Sequence, residues 1–219
     1  MSLLPFRIAS QVERAVAILK AGGIVAYPTD TVYGLGADAF NVKAVERVFE
    51  LKGRPRNMAL PVLLAEVAQV SEVASSVPEI AWVFVNRFWP GGLTLVLTKA
   101  ASVPDIVTAG GDKVAIRIPN HEVPRAIIRG LGAPIIGTRA NITDRPTPVT
   151  AEEVKQQLGD QIDLIIDGGK CPGGVESTVV DVTGGSPVVL REGIIPKEEI
   201  EKVWRETLKE AGEGAHCCG

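Results

Sequence analysis

The chain has 219 residues, of which 46% are hydrophobic and 22% charged, with a formal net charge of −3 and a pI near 5.5. That balance builds one sizeable core without covalent staples, and it excludes a globally basic field drawing the chain onto nucleic acid. Three cysteines do not make a disulfide framework and point to a reducing compartment, the cytoplasm. No apolar run reaches the roughly 18 residues of a spanning helix, and MSLLPFRIASQVER is too short in apolar core for a secretion signal.

In chain order, Ser10 with Glu13 has capping-box spacing, Val12, Ala15, Val16 and Leu19 recur at helical spacing, and Gly22 can end that helix. Ile24 to Tyr27 is a short buried strand stopped by Pro28. The loop Thr29-Asp30-Thr31-Val32-Tyr33-Gly34-Leu35-Gly36 follows. Asn41 can cap a second helix carrying Ala44, Val45 and Val48, ended by Gly53 and Pro55 within Lys52-Gly53-Arg54-Pro55-Arg56. Leu60 to Leu64 has strand character, and helical patterns cover Glu66 to Val73 and Pro78 to Phe88, with Arg87 snorkelling. Trp89-Pro90-Gly91-Gly92 is a break. Leu93 to Thr98 and Val114 to Ile118 are strands, Pro124 opens a helix ending near Gly130, and Pro134 to Gly137 is a strand. Thr150 with Glu153 forms a second capping box. Leu164 to Ile166, Thr178 to Val182 and Val188 to Leu190 are strands, and Pro196 to Glu210 is a charged helix. Residues 1–211 are expected to form one domain and 212–219 a frayed tail. Strands and helices alternate without a strict βαβ series, which predicts an α/β fold: a twisted mixed parallel and antiparallel sheet with flanking helices.

Polar residues collect just after the predicted strands: Thr29 to Tyr33, Arg117 with Asn120, Thr138 to Thr147, Ser177 with Thr178, and Arg191 to Gly193. Ligands of open α/β sheets bind at strand ends. An acidic chain that places Lys52, Arg54, Arg117, Arg139, Arg145 and Arg191 there is suited to an anion. Taken singly, each has a structural reading: a turn, a helix C-terminus favouring cations, a surface ion pair. There is no GxxxxGK[ST], no GxGxxG and no zinc spacing, so a triphosphate would be held by side-chain cations, helix N-termini and a metal.

PTDTVYGLG, KGRPR, WPGGLTLVL, AIRIP, TRAN with TPVTAEEV, and STVVDVTGGSPVVLREG, in this order and spacing, resemble the YrdC/Sua5 family of L-threonylcarbamoyladenylate synthases from about Ser10 to Glu199. The length is similar to the short YrdC type. The resemblance implies a YrdC-like fold around a concave groove. It also implies an enzyme, a nucleotidyltransferase making threonylcarbamoyl-AMP and pyrophosphate from L-threonine, bicarbonate and ATP. Downstream proteins would use the product for the t6A modification of tRNA. Position by position it assigns Lys52, Arg54, Arg139, Asn141, Thr147 and Arg191 to ATP. Thr31, Tyr33, Arg117 and Ser177 are assigned to threonine, with Arg117 pairing its carboxylate. No covalent nucleophile is implied. Mg²⁺ is expected with ATP, its protein ligands unassigned.

Arg139-Ala140-Asn141-Ile142-Thr143-Asp144 stands where the family usually has Ser-Ala-Asn-x-Ser-Gly, and Met58-Ala59 where many members have Asn-Pro. Arg139 either adds a phosphate contact or fills the nucleotide site. Two other readings compete. One is a non-catalytic tRNA-binding member, opposed by the acidic pI and only 5% aromatics. The other is a YciO-type paralogue acting on another nucleotide substrate, motivated by Arg139.

Overall fold

The computed structural model describes residues 4–214. Helix α1 (Phe6–Lys20) begins after Pro5 and has no side-chain cap, so the Ser10–Glu13 box does not form. Proline fixes its own φ and suits a helix start, and Val12, Ala15 and Leu19 then make the buried stripe. Strand β1 (Val25–Tyr27) is fully buried and pairs antiparallel with β2 (Gly34–Gly36). The glycines expected in a loop are therefore a strand. The cause is the Tyr27 ring: a Cβ on Gly34 would lie 2.6 Å from its Cε2, and one on Gly36 2.7 Å from its Cε1.

Asn41 caps α2 (Val42–Lys52) by accepting from the Ala44 amide, and Gly53 closes it in the left-handed conformation, φ 57°. Strand β3 (Val62–Leu63), a 3₁₀ turn (Val67–Gln69) and the short α3 (Val70–Val73) follow. Then come β4 (Ala74–Ser76), which had no clear sequence signal, α4 (Glu79–Phe88), β5 (Leu93–Lys99) and β6 (Lys113–Arg117). Arg87 on α4 lies against the Phe88 ring and pairs with Glu199 at 3.8 Å. Next are α5 (Glu122–Leu131), β7 (Ile135–Ile136), β8 (Thr138–Arg139) and α6 (Ala151–Leu158). The Thr150–Glu153 capping box of α6 is complete. A 3₁₀ turn (Gly159–Gln161), β9 (Leu164–Ile165), β10 (Thr178–Asp181), β11 (Val188–Arg191) and α7 (Lys197–Gly214) finish the chain. Residues 212–214 are thus still helical, and the rest of the expected tail, 215–219, lies outside the described residues.

The mixed pairing is divided between two sheets. One has the order β8-β2-β1-β9, the other β11-β10-β5-β6-β3-β7, with β4 beside the end of β5. β1–β9, β3–β6 and β5–β10 are parallel; the other pairs are antiparallel. The chain crosses from one sheet to the other at Gly137, where a Cβ would sit 2.3 Å from the Leu63 Cγ. The Tyr27 hydroxyl ties the sheets further by donating to the Ile136 carbonyl. One apolar cluster gathers α1, β1 and α5 around Leu19, Tyr27 and Ile127; the larger one gathers α2, α4, β5 and β6 around Phe49, Phe84 and Leu95. Among the described residues, no helix is long and apolar enough to cross a membrane.

Candidate functional site

A cavity of about 270 Å³ opens between the two sheets. From the first sheet and its loops it takes Thr29, Thr31, Val32, Tyr33, Gly34, Thr138 and Arg139. From the second it takes Leu63, Thr94, Ala115, Arg117, Ser177, Val179 and Arg191. Arg54, Met58, Ala59 and Glu176 complete much of the rim. Of the residues singled out from the sequence, Thr31, Tyr33, Arg54, Arg117, Arg139, Ser177 and Arg191 come together on this lining, whereas Lys52, Asn141 and Thr147 do not reach it.

One end is built on Arg117, which is 7% exposed at the end of β6. Its Nε donates to the Gly91 carbonyl at 2.8 Å, Nη1 to Thr31 Oγ1 at 2.9 Å and Nη2 to Asp30 Oδ1 at 2.6 Å. Burial lowers its pKa, and the Asp30 charge opposes that fall. Thr29 organises the turn: its hydroxyl accepts from the Thr31 and Val32 amides and donates to the Val32 carbonyl. Ser177 Oγ shares a hydrogen bond of 2.8 Å with Thr94 Oγ1. Tyr33, its pKa pushed up to about 12 by burial, donates to the Gly169 carbonyl and accepts from the Gly168 amide.

The other end is cationic. Arg54 is held by the Met58 and Ala59 carbonyls, and burial, then Arg139, then Arg191, lower its pKa. Arg191 Nη2 donates to the Ser177 carbonyl at 2.8 Å. Glu176 Oε2 lies 2.6 Å from Arg191 Nη1 and 3.3 Å from Arg139 Nη1. The sequence reading missed Glu176; the available signal was a lone carboxylate directly before Ser177-Thr178 at a strand start.

Lys52 stands behind this wall, 2% exposed. Its Nζ donates to the carbonyls of Arg139 (2.6 Å) and Asn141 (2.5 Å) and to Asn141 Oδ1 (3.3 Å), and its own carbonyl accepts from the Thr143 amide. Three protons meet three oxygens, so the ammonium binds the strap 139–145 from within. Burial first, then Arg54 and Arg139, draw its pKa down to about 7. Asn141 Nδ2 secures the same strap on the Arg145 carbonyl, and Thr147 accepts from Arg139 Nη1 at 3.4 Å. Asp144, where glycine is usual, has φ 66°, the left-handed region that glycine favours.

The cavity therefore offers four arginines against the single carboxylate of Glu176 on its lining, with hydroxyls of Thr29, Thr31, Thr94 and Ser177 at the other end. Such a set binds anions and orients small polar groups.

A Pyrococcus abyssi protein named threonylcarbamoyl-AMP synthase is 47% identical over 189 residues, covering 86% of this chain and 56% of its own length. The chain thus spans about half of that relative. The crystal structure of P. abyssi Sua5 complexed with L-threonine superposes with a TM-score of 0.86 at 46% identity, over 88% of this chain and 56% of the other. The crystal structure of E. coli YciO gives 0.80 at 28% identity, over 90% and 95%. A family model, Sua5_yciO_yrdC, described as telomere recombination, matches residues 17–193. On this evidence the chain belongs to the Sua5/YciO/YrdC family.

Proposed function

We propose that the cavity binds L-threonine and ATP side by side and, with bicarbonate, forms threonylcarbamoyl-AMP and pyrophosphate. The observation that carries this reading is one lining with two differently built cationic ends. Arg117, fixed by Asp30 and flanked by Thr31, suits an amino-acid carboxylate, with the hydroxyls nearby for its polar groups. Arg54, Arg139 and Arg191 suit a polyphosphate. The P. abyssi matches support it, the sequence one by its name, threonylcarbamoyl-AMP synthase, and the solved structure by its bound L-threonine.

The chemistry asks for positioning rather than a nucleophilic side chain. The threonine amine and bicarbonate give a carbamate and water. A carbamate oxygen attacks the α-phosphorus in line, the bond to the β-phosphate oxygen breaks, and pyrophosphate leaves with that electron pair. Charge builds on the leaving oxygens, where fixed guanidinium groups stabilise it most. Arg139 lies on the lining with its side chain 41% exposed, which favours a phosphate contact over a blocked site. Lys52 and Asn141 act as positioning residues for the strap that carries it.

Among the described residues no group of three His, Cys, Asp or Glu could hold a metal, and the one lining carboxylate faces two arginines. Mg²⁺ accordingly enters as part of its ATP complex, a substrate held largely by phosphate oxygens. Proteins that transfer the threonylcarbamoyl group to tRNA, in the cytoplasm, consume the product. The test is pyrophosphate release from ATP, bicarbonate and Mg²⁺: it should require threonine, and release without threonine, or none with it, would count against the reading.

A further inference from the structure

A groove with two cationic ends poses a selection problem. The carboxylate of an amino acid is attracted to either end, yet only one placement leaves the other free for phosphates. We infer that Glu176 is a built-in counter-ion that competes with incoming anions for Arg139 and Arg191, so that a polyphosphate is admitted there and a lone carboxylate is not. This rests on the reading of the groove as a threonine and nucleotide site.

The geometry supports the role in three ways. Glu176 is the one carboxylate on the lining, and its Oε2 reaches Arg191 at 2.6 Å and Arg139 at 3.3 Å, bridging β11 to β8. Arg191 is anchored independently, its Nη2 on the Ser177 carbonyl, so it presents Nη1 to whatever anion is there. Arg139 has only a 3.4 Å hydrogen bond to Thr147 beside the ion pair, so it is free to follow a new partner. The charges make the competition selective. Burial first, and then the neighbouring arginines, lower the pKa values of Arg54 and Arg191, and Glu176 supplies one negative charge among these guanidinium groups that opposes the fall at Arg191. A carboxylate ligand brings no more charge than Glu176 already provides. A pyrophosphate or triphosphate brings several charges and more acceptor oxygens, and displaces it. The Glu176 backbone is fixed, its carbonyl accepting from the Ile194 amide at 2.9 Å, so a 28% exposed side chain yields by rotating about its own bonds.

The experiment is calorimetric titration of inorganic pyrophosphate and of threonine, each without Mg²⁺, into the full chain and into Glu176→Gln and Glu176→Ala. Thermal unfolding confirms that both variants fold. Removing the competing charge should tighten pyrophosphate binding about tenfold. It should also raise the threonine stoichiometry above that of the parent, as a second carboxylate gains the vacated arginines. Unchanged or weaker pyrophosphate binding in both variants would overturn the inference, as would no pyrophosphate binding by any of the three proteins. Tightened pyrophosphate binding in a protein with no threonine-dependent chemistry would uphold the counter-ion and sink the proposed function instead.

Discussion

Arg117→Lys separates an arginine that the fold needs from those that only the ligand needs. Arg117 spreads three donors over Gly91, Thr31 and Asp30, and both it and Asp30 are largely buried, 8% and 16% exposed at the side chain. A lysine reaches one of these points and leaves the others without a partner. Each buried acceptor left without its donor costs about 1–3 kcal/mol, so two of them cost about 2–6 kcal/mol. For a chain of this size each kcal/mol moves the melting temperature about 2–4 °C, so the melting temperature should fall by about 10 °C and threonine binding should be lost. Arg191→Lys is the comparison: its side chain is 42% exposed, so loss of its pair with Glu176 should cost about 1 kcal/mol or less. Differential scanning calorimetry of the two variants reads both values. A melting temperature for Arg117→Lys within about 2 °C of the parent would refute the claim that Arg117 is fixed in place by its bonds to Asp30, Thr31 and Gly91.

Gly34→Ala should destabilise by about 1–3 kcal/mol through overpacking against the fully buried Tyr27 ring, read by urea unfolding. Thr150→Ala removes the acceptor of the Glu153 amide and should cost about 1 kcal/mol, read in the same way. Lys52 gives a pH signature. Its folded pKa, about 7, lies below the ordinary 10.5, so between these values the unfolded chain holds more protons and stability rises with pH; below about 7 its contribution is flat. Lys52→Met should remove that rise from a plot of melting temperature against pH, and an identical slope in the variant would contradict the assignment.

Much of this site could be read from residue order because strand-end loops are where open sheets gather ligand groups. That reasoning puts Arg117, Ser177 and Arg191 at strand ends, and all three line the cavity; their assignment to particular substrates comes from the family resemblance. Caps were legible where side chain and spacing act locally, as at Asn41 and at Thr150 with Glu153. What failed was set by tertiary contact. Gly34 and Gly36 have no strand propensity of their own, and the Tyr27 ring over them appears only once β1 and β2 pair. Lys52 reads from the sequence as a cation suited to a helix C-terminus, yet the fold buries it. It lies three and four residues beyond the buried Phe49 and Val48, on the same face, and that spacing was the overlooked signal. Glu176 went unnoticed because an acidic residue does not suggest an anion site until the two arginines around it are seen.

The most direct measurement follows the carbon. With isotopically labelled bicarbonate, ATP, Mg²⁺ and L-threonine, label should appear in a threonine-containing adenylate in equal amount to the pyrophosphate released, and Arg117→Ala should abolish both. Pyrophosphate released without label in a nucleotide, or label incorporated undiminished in Arg117→Ala, would contradict the account.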